Sequence, residues 1–183
     1  YNKPTQRGLY EHFKAIAAAS PLPLCLYNVP GRSGVNMEAA TVAALSHDCP
    51  NIIAVKEASG RFDQATAILK SKRAGFAALS GEDALLLPLM SLGFEGVISV
   101  IANVLPNDAC LVKSALQGDY PTARRIHLDR AELCKALFEE GNPAGIKAAL
   151  HAAGIIRQNT LRLPLTPVSD ALYNKIIGLL KLH

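Results

Sequence analysis

The sequence predicts an α/β fold, a parallel sheet covered by helices, and three observations lead there. Short apolar runs alternate along the first part of the chain with segments of helical periodicity. The runs are apolar at every position rather than every second one, as in strands covered on both faces. Successive runs recur at roughly 25 to 30 residues, a spacing that suits the βα units of a (β/α)8 barrel, which needs about 250 residues for eight units. With 183 residues and four visible strands, the chain accounts for half of such a barrel and a helical extension.

Leu9, Phe13, Ile16 and Ala17 recur at helical spacing among Glu11, His12 and Lys14, which predicts a helix from Gln6 to Ala19 stopped by Ser20-Pro21-Leu22-Pro23. Leu24-Cys25-Leu26-Tyr27 reads as a buried strand ended by Asn28-Val29-Pro30-Gly31. A helix from about Met37 to Ser46 follows, then the β-branched run Asn51-Ile52-Ile53-Ala54-Val55, ended by Lys56-Glu57-Ala58-Ser59-Gly60. The alternation continues as helix (Phe62 to Lys72), strand (Phe76 to Leu79), turn (Ser80 to Asp83), helix (Ala84 to Leu92), strand (Gly96 to Val100) and helix (Pro106 to Gln117). After Gly118 the strands stop. Tyr120 to Glu140, Pro143 to Ala153 and Ser169 to Leu182 read as helices, with an extended stretch over Thr160 to Leu165. The expected organisation is half a barrel over 1–118 and a helical domain over 119–183. The chain opens on Tyr1-Asn2-Lys3-Pro4, which reads as the end of a strand entering a loop, so an upstream portion is expected.

A doubly wound sheet competes, yet it would normally offer a Gly-rich phosphate turn. Gly31-x-x-Gly34 and Gly93-x-x-Gly96 complete neither a dinucleotide nor a P-loop fingerprint and read more simply as turn glycines.

Composition narrows the function classes. Half the residues are hydrophobic and 19% are charged, which excludes a disordered, collagenous or coiled-coil chain. The 19 Lys and Arg against 15 Asp and Glu are spread out, without the basic stripe that tracks nucleic acid. No apolar run approaches the roughly 20 residues of a membrane span, and no secretory leader is visible. Cys25, Cys49, Cys110 and Cys134 lie far apart, form no C-x-x-C pair and read as small buried or partly buried thiols in a reducing cytoplasm. His12, His47, His127, His151 and His183 have no ligand spacing, so no metal site is expected.

In a parallel barrel the side chains at the carboxyl ends of strands face the active-site mouth. Tyr27 and Lys56 end consecutive strands, which puts them at similar height on neighbours. A partly desolvated lysine favours its neutral amine, the form that attacks a carbonyl to make a Schiff base. A neighbouring phenol can both donate and accept the protons of that reaction. Arg32, in the following loop, could hold a substrate carboxylate through two parallel bonds. On spacing alone the plainer readings are a strand-capping Lys56 whose charge meets Glu57 or solvent, a core Tyr27 and a solvated Arg32.

Five stretches together carry a resemblance. Leu26-Tyr27-Asn28-Val29-Pro30-Gly31-Arg32-Ser33-Gly34, Ile52 to Gly60, Ser80-Gly81-Glu82-Asp83, Gly96 to Val100 and Thr160 to Pro167 closely resemble, in order, the C-terminal part of the dihydrodipicolinate synthase family, within the pyruvate-dependent class I aldolases. The resemblance implies a (β/α)8 barrel with a C-terminal helical domain, and condensation of pyruvate with aspartate semialdehyde in lysine and diaminopimelate biosynthesis. It implies that Lys56 forms the imine, that Tyr27 and Tyr1 relay protons, and that Arg32 binds the semialdehyde carboxylate. Gly81 and Ile98 line the pyruvate pocket, Ile98 through its backbone. No cofactor is implied. The expected assembly is a cytoplasmic homotetramer, a dimer of dimers, in which Tyr1 crosses the dimer interface into the neighbour's site. Arg32 favours the synthase over sialic acid lyases of the same superfamily, whose loop lacks that arginine; a paralogue acting on another aldehyde is the runner-up. Family members carry about a third of their length ahead of the position of Tyr1, including a pyruvate-carboxylate loop and paired relay threonines. A catalytically silent partial chain is therefore the alternative of a different class.

Overall fold

The computed structural model describes residues 2–180, and Tyr1, expected at the site, lies outside them. The chain divides into two compact units, Tyr1–Ile98 and Ser99–His183.

The first unit alternates helices and strands. Thr5 Oγ1 accepts the Gly8 N–H at 3.2 Å and starts helix α1, Gln6–Ala19. Its far end is closed by Asn51, whose Nδ2 donates to Ala17 O and Ser20 O at 2.9 and 3.1 Å. Strand β1 (Leu24–Asn28) leads to a one-turn helix α2 (Pro30–Ser33), then α3 (Ala39–Asp48), β2 (Ile52–Glu57), α4 (Phe62–Ser71), β3 (Ala77–Ser80), α5 (Leu86–Leu92) and β4 (Gly96–Val97). The four strands are parallel in the order β1-β2-β3-β4. The α/β class is as the sequence predicts.

The ends of three strands differ from expectation. Strands β1 and β2 run on through the polar residues Asn28 and Glu57, both buried on the helix-covered face. The last strand stops at Val97, because β3 ends at Ser80 and offers no register partner further on. Ser99 Oγ then accepts the Ala102 N–H at 2.9 Å and turns the backbone into the short 3-10 helix Ile101–Asn103. The helix α2 went unforeseen: Pro30 fixes its first φ, and Gly34, at φ 72°, ends it in a left-handed conformation that favours glycine.

The β1–β2 register slips once. Leu24 pairs with Ile52 but Cys25 with Ala54, so β2 advances two residues against one and carries Ile53 as a bulge. Beyond it the ladder is regular, Leu26 to Val55, Tyr27 to Lys56 and Asn28 to Glu57.

One face of the sheet is the core. Leu26, Ile52, Val55 and Ala78 pack with Leu9, Val42, Leu45, Ile68, Leu89, Phe76 and Phe94. Each fully buried large side chain contributes about 1.5–3 kcal/mol relative to exposure. Arg73 braces the strand bottoms, with Nε donating to Ser46 O at 2.6 Å and a terminal nitrogen to Ile52 O at 3.3 Å. The opposite face carries Cys25, Tyr27 and Ile53, all exposed.

The second unit is helical: α6 (Cys110–Leu116), α7 (Tyr120–Ala136), α8 (Ala144–Ala152) and α9 (Asp170–Leu180). Its core joins Ile101, Val104, Leu133, Leu137, Ile146, Val168, Leu172 and Ile176. Asp119 caps α7 through the Thr122 N–H. Glu140 accepts from both the N–H and the hydroxyl of Ser169 at the start of α9, at 2.8 and 2.5 Å. A Cβ at Gly145 would fall 2.1 Å from Leu137 O, so that crossing requires glycine. Thr160–Leu165, expected to be extended, contains a turn in which Leu165 N–H bonds Arg162 O at 3.1 Å. Among the described residues, no helix is long and apolar enough to cross a membrane.

Candidate active site

Parallel pairing places Tyr27 directly beside Lys56, and Lys56 Nζ lies 4.0 Å from the centroid of the Tyr27 ring. Tyr27 is 45% exposed and Lys56 is half-buried, so both side chains stand on the open face. At that distance a cation over a ring face contributes roughly 0.5–1 kcal/mol at an exposed site. Cys25 lies two residues before Tyr27 on the same face. Burial around its sulfur pushes the thiol's pKa up, opposed by a backbone hydrogen bond from Lys56 and by that residue's charge.

Of the two plainer partners for the Lys56 charge, Glu57 and solvent, strand alternation removes Glu57. Glu57 turns to the other face and is 3% exposed. Its oxygens accept from Ser59 N at 2.6 Å, Asn28 Nδ2 at 2.9 and 3.2 Å, and Gln64 Nε2 at 3.0 Å.

Arg32 is exposed on α2, the segment that follows β1, and its N–H bonds Val29 O at 2.9 Å. Gly81 follows β3 and donates its N–H to Glu57 O at 2.8 Å. A Cβ there would meet Ala58 Cβ at 2.5 Å, so the chain beside Lys56 can pass only a glycine. Ile98 donates its N–H to Ser80 O at 2.9 Å and is exposed. Together with Ala58 N–H to Asn28 O at 2.8 Å, these bonds extend the ladder beyond the strands and align the four loop entries in one rim. Tyr27, Lys56, Gly81 and Ile98 are thus gathered at the carboxyl edge of one sheet, with Arg32 on the turn that follows.

The sequence reading missed the polar layer beneath this rim. Asn28, Asn36, Glu57 and Gln64 bond one another on the covered face. The signal was present in Tyr27-Asn28 and Lys56-Glu57, where a polar residue directly follows each candidate and must point the opposite way.

The chemistry available is that of an amine beside a phenol at the edge of a parallel sheet, with an arginine on the turn that follows the phenol's strand. Residues 1–182 match the model of the Dihydrodipicolinate synthetase family. The chain is 54% identical over 177 residues to a 4-hydroxy-tetrahydrodipicolinate synthase of Azobacteroides pseudotrichonymphae, covering 96% of this chain and 60% of that protein. The fold superposes on the crystal structure of dihydrodipicolinate synthase from Aquifex aeolicus with a TM-score of 0.96 at 44% identity, over 100% of this chain and 62% of that one. A structure of a monomeric dihydrodipicolinate synthase variant matches with TM-score 0.96 and 39% identity, over 99% and 61%. The chain spans about three fifths of the length of the curated relatives it matches. Family model, sequence and fold agree over essentially every residue, and the chain belongs to the dihydrodipicolinate synthetase family.

Proposed function

We propose that this chain carries the Schiff-base centre of a 4-hydroxy-tetrahydrodipicolinate synthase, a lyase of lysine and diaminopimelate biosynthesis. The observation that carries the reading is the pairing of Tyr27 with Lys56, side by side in register with the amine 4.0 Å from the ring. Residues 1–118 supply part of a (β/α)8 barrel, whose inner face is the open face of the sheet, and 119–183 form a helical domain. The compact division at Ile98 and Ser99 assigns α6 to the helical body by packing, whereas a count of βα units assigns it to the barrel.

In the proposed reaction the Lys56 amine adds to the ketone carbon of pyruvate and water leaves as the imine forms. Loss of a methyl proton gives the enamine, whose carbon attacks the aldehyde of aspartate semialdehyde. The amino group of the adduct then displaces Lys56 as the ring closes. Tyr27 moves protons between the carbinolamine and the aldehyde oxygen, with Tyr1 of a neighbouring subunit completing the relay. Gly81 and the Ile98 backbone border the pyruvate, and Arg32 holds the semialdehyde carboxylate by a bidentate pair. The chemistry of an amine and a phenol requires no cofactor. The working assembly is a homotetramer of two tight dimers. The cytoplasm is its proposed compartment.

Borohydride reduction in the presence of pyruvate tests the reading on the protein that carries this chain. The expected result is a stable adduct on Lys56, abolished by Lys56→Ala. Arg32→Ala is expected to raise KM for the semialdehyde and leave the adduct intact. Wild-type protein without an adduct at Lys56 overturns the assignment.

A further inference from the structure

Three of the four polar side chains beneath the rim, Asn28, Glu57 and Gln64, are buried, and they lie against an apolar core. Burying such groups is costly unless each is bonded, and an apolar set of similar volume would avoid the cost altogether. Here the bonding is extensive. Asn28 Nδ2 donates to Glu57 and to Asn36 Oδ1 at 2.9 Å, and Asn28 Oδ1 accepts the Met37 N–H at 2.9 Å. Asn36 Nδ2 donates to Gln64 Oε1 at 2.7 Å, and Gln64 Nε2 donates to Glu57 Oε2 at 3.0 Å.

Two geometric facts give this cluster a purpose. Asn28 and Glu57 are register partners, and each directly follows a member of the Tyr27–Lys56 pair. A bond between them on one face therefore clamps the two strands one residue past the point where the amine meets the ring on the other. Asn28 also grips both Asn36 and Met37, so one side chain closes the loop 29–35, which contains Arg32.

We propose that Asn28, Asn36, Glu57 and Gln64 form a positioning cluster that sets the Lys56–Tyr27 approach and fixes the Arg32 loop against it. The inference rests on the Schiff-base reading and deepens it. All four act through other residues and touch no substrate. Every partner of the Glu57 carboxylate is an N–H donor, so Glu57→Gln keeps the volume but turns an amide donor towards one of them.

The test uses the full protein that carries this chain, with borohydride trapping and steady-state kinetics. Glu57→Gln is expected to slow trapping by saturating pyruvate about tenfold to a hundredfold, the scale of a small misplacement of a reacting group. It is also expected to shift the pH profile of trapping, with partial recovery in Glu57→Asp. Asn36→Ala is expected to raise KM for the semialdehyde about tenfold while trapping changes less than about twofold, since it frees the loop more than the strands. If Glu57→Gln does not fold, Gln64→Leu removes the neighbouring donor, preserves volume, and should slow trapping in the same sense. Variants that lose thermal stability but keep wild-type trapping rate, pH profile and both KM values overturn the cluster's role and leave the Schiff-base reading standing. Wild-type protein that is never labelled overturns both.

Discussion

The two units differ in what they bury. Among the described residues, all the buried polar or charged side chains, Asn28, Thr41, Ser46, Glu57, Gln64, Ser80 and Asp83, lie in the first unit. The buried residues of the second are apolar, and its polar ties range from the exposed Lys175–Glu139 and Glu140–Ser169 to the partly buried Arg130–Asp108 and His151–Tyr173. Buried polar networks define one geometry at a cost that an apolar core does not incur. The difference separates a unit whose interior specifies where side chains stand from one whose interior contributes cohesion.

Substitutions in the second unit should therefore move stability alone. The largest expected effect is that of Ile176→Ala, at a fully buried position, which should cost about 2–5 kcal/mol. Thermal denaturation should show the loss while borohydride trapping per folded molecule stays at the wild-type value; a loss of trapping in folded protein would break the contrast. Gly81→Ala, in the first unit, should cost less, about 1–3 kcal/mol of overpacking against Ala58. It should nevertheless slow trapping more than its fraction unfolded explains, because the Gly81 N–H is displaced from Glu57 O.

The smallest expected effect is a pH dependence in the second unit. Burial lowers the pKa of His127 below its ordinary value. The unfolded chain then binds more protons than the folded one in the window below the ordinary histidine value of about 6.5, so stability falls as pH drops through that window. Denaturant titrations between neutral and mildly acid pH should show a gentler decline in His127→Gln. An identical decline in the variant would assign the acid sensitivity to other groups.

Much of this arrangement was legible in the sequence, and for identifiable reasons. Helix α1 was predicted over its whole span because its apolar stripe is regular and Pro21 stops it. Tyr27 and Lys56 could be paired before any coordinates, since consecutive strands of a parallel sheet are neighbours and both residues close apolar runs. What escaped was polar and long-range. Asn28 and Glu57 read as strand terminators because an apolar run is the signal for a buried strand, and a buried polar cluster interrupts that signal where the strand continues. Gln64, on α4, is brought to Asn36 only by the fold, 28 residues away along the chain. The helix α2 escaped because a single turn beginning Pro-Gly has no periodicity to detect.

The bulge at Ile53 carries a consequence of parity. Ile52 and Lys56 are four residues apart, and in an uninterrupted strand an even separation puts two side chains on the same side. Yet Ile52 is fully buried in the core, while Lys56 stands beside the exposed Tyr27. The extra residue reverses odd and even halfway along β2, so a single strand can anchor itself with a hydrophobic foot and still present an amine to the opposite side.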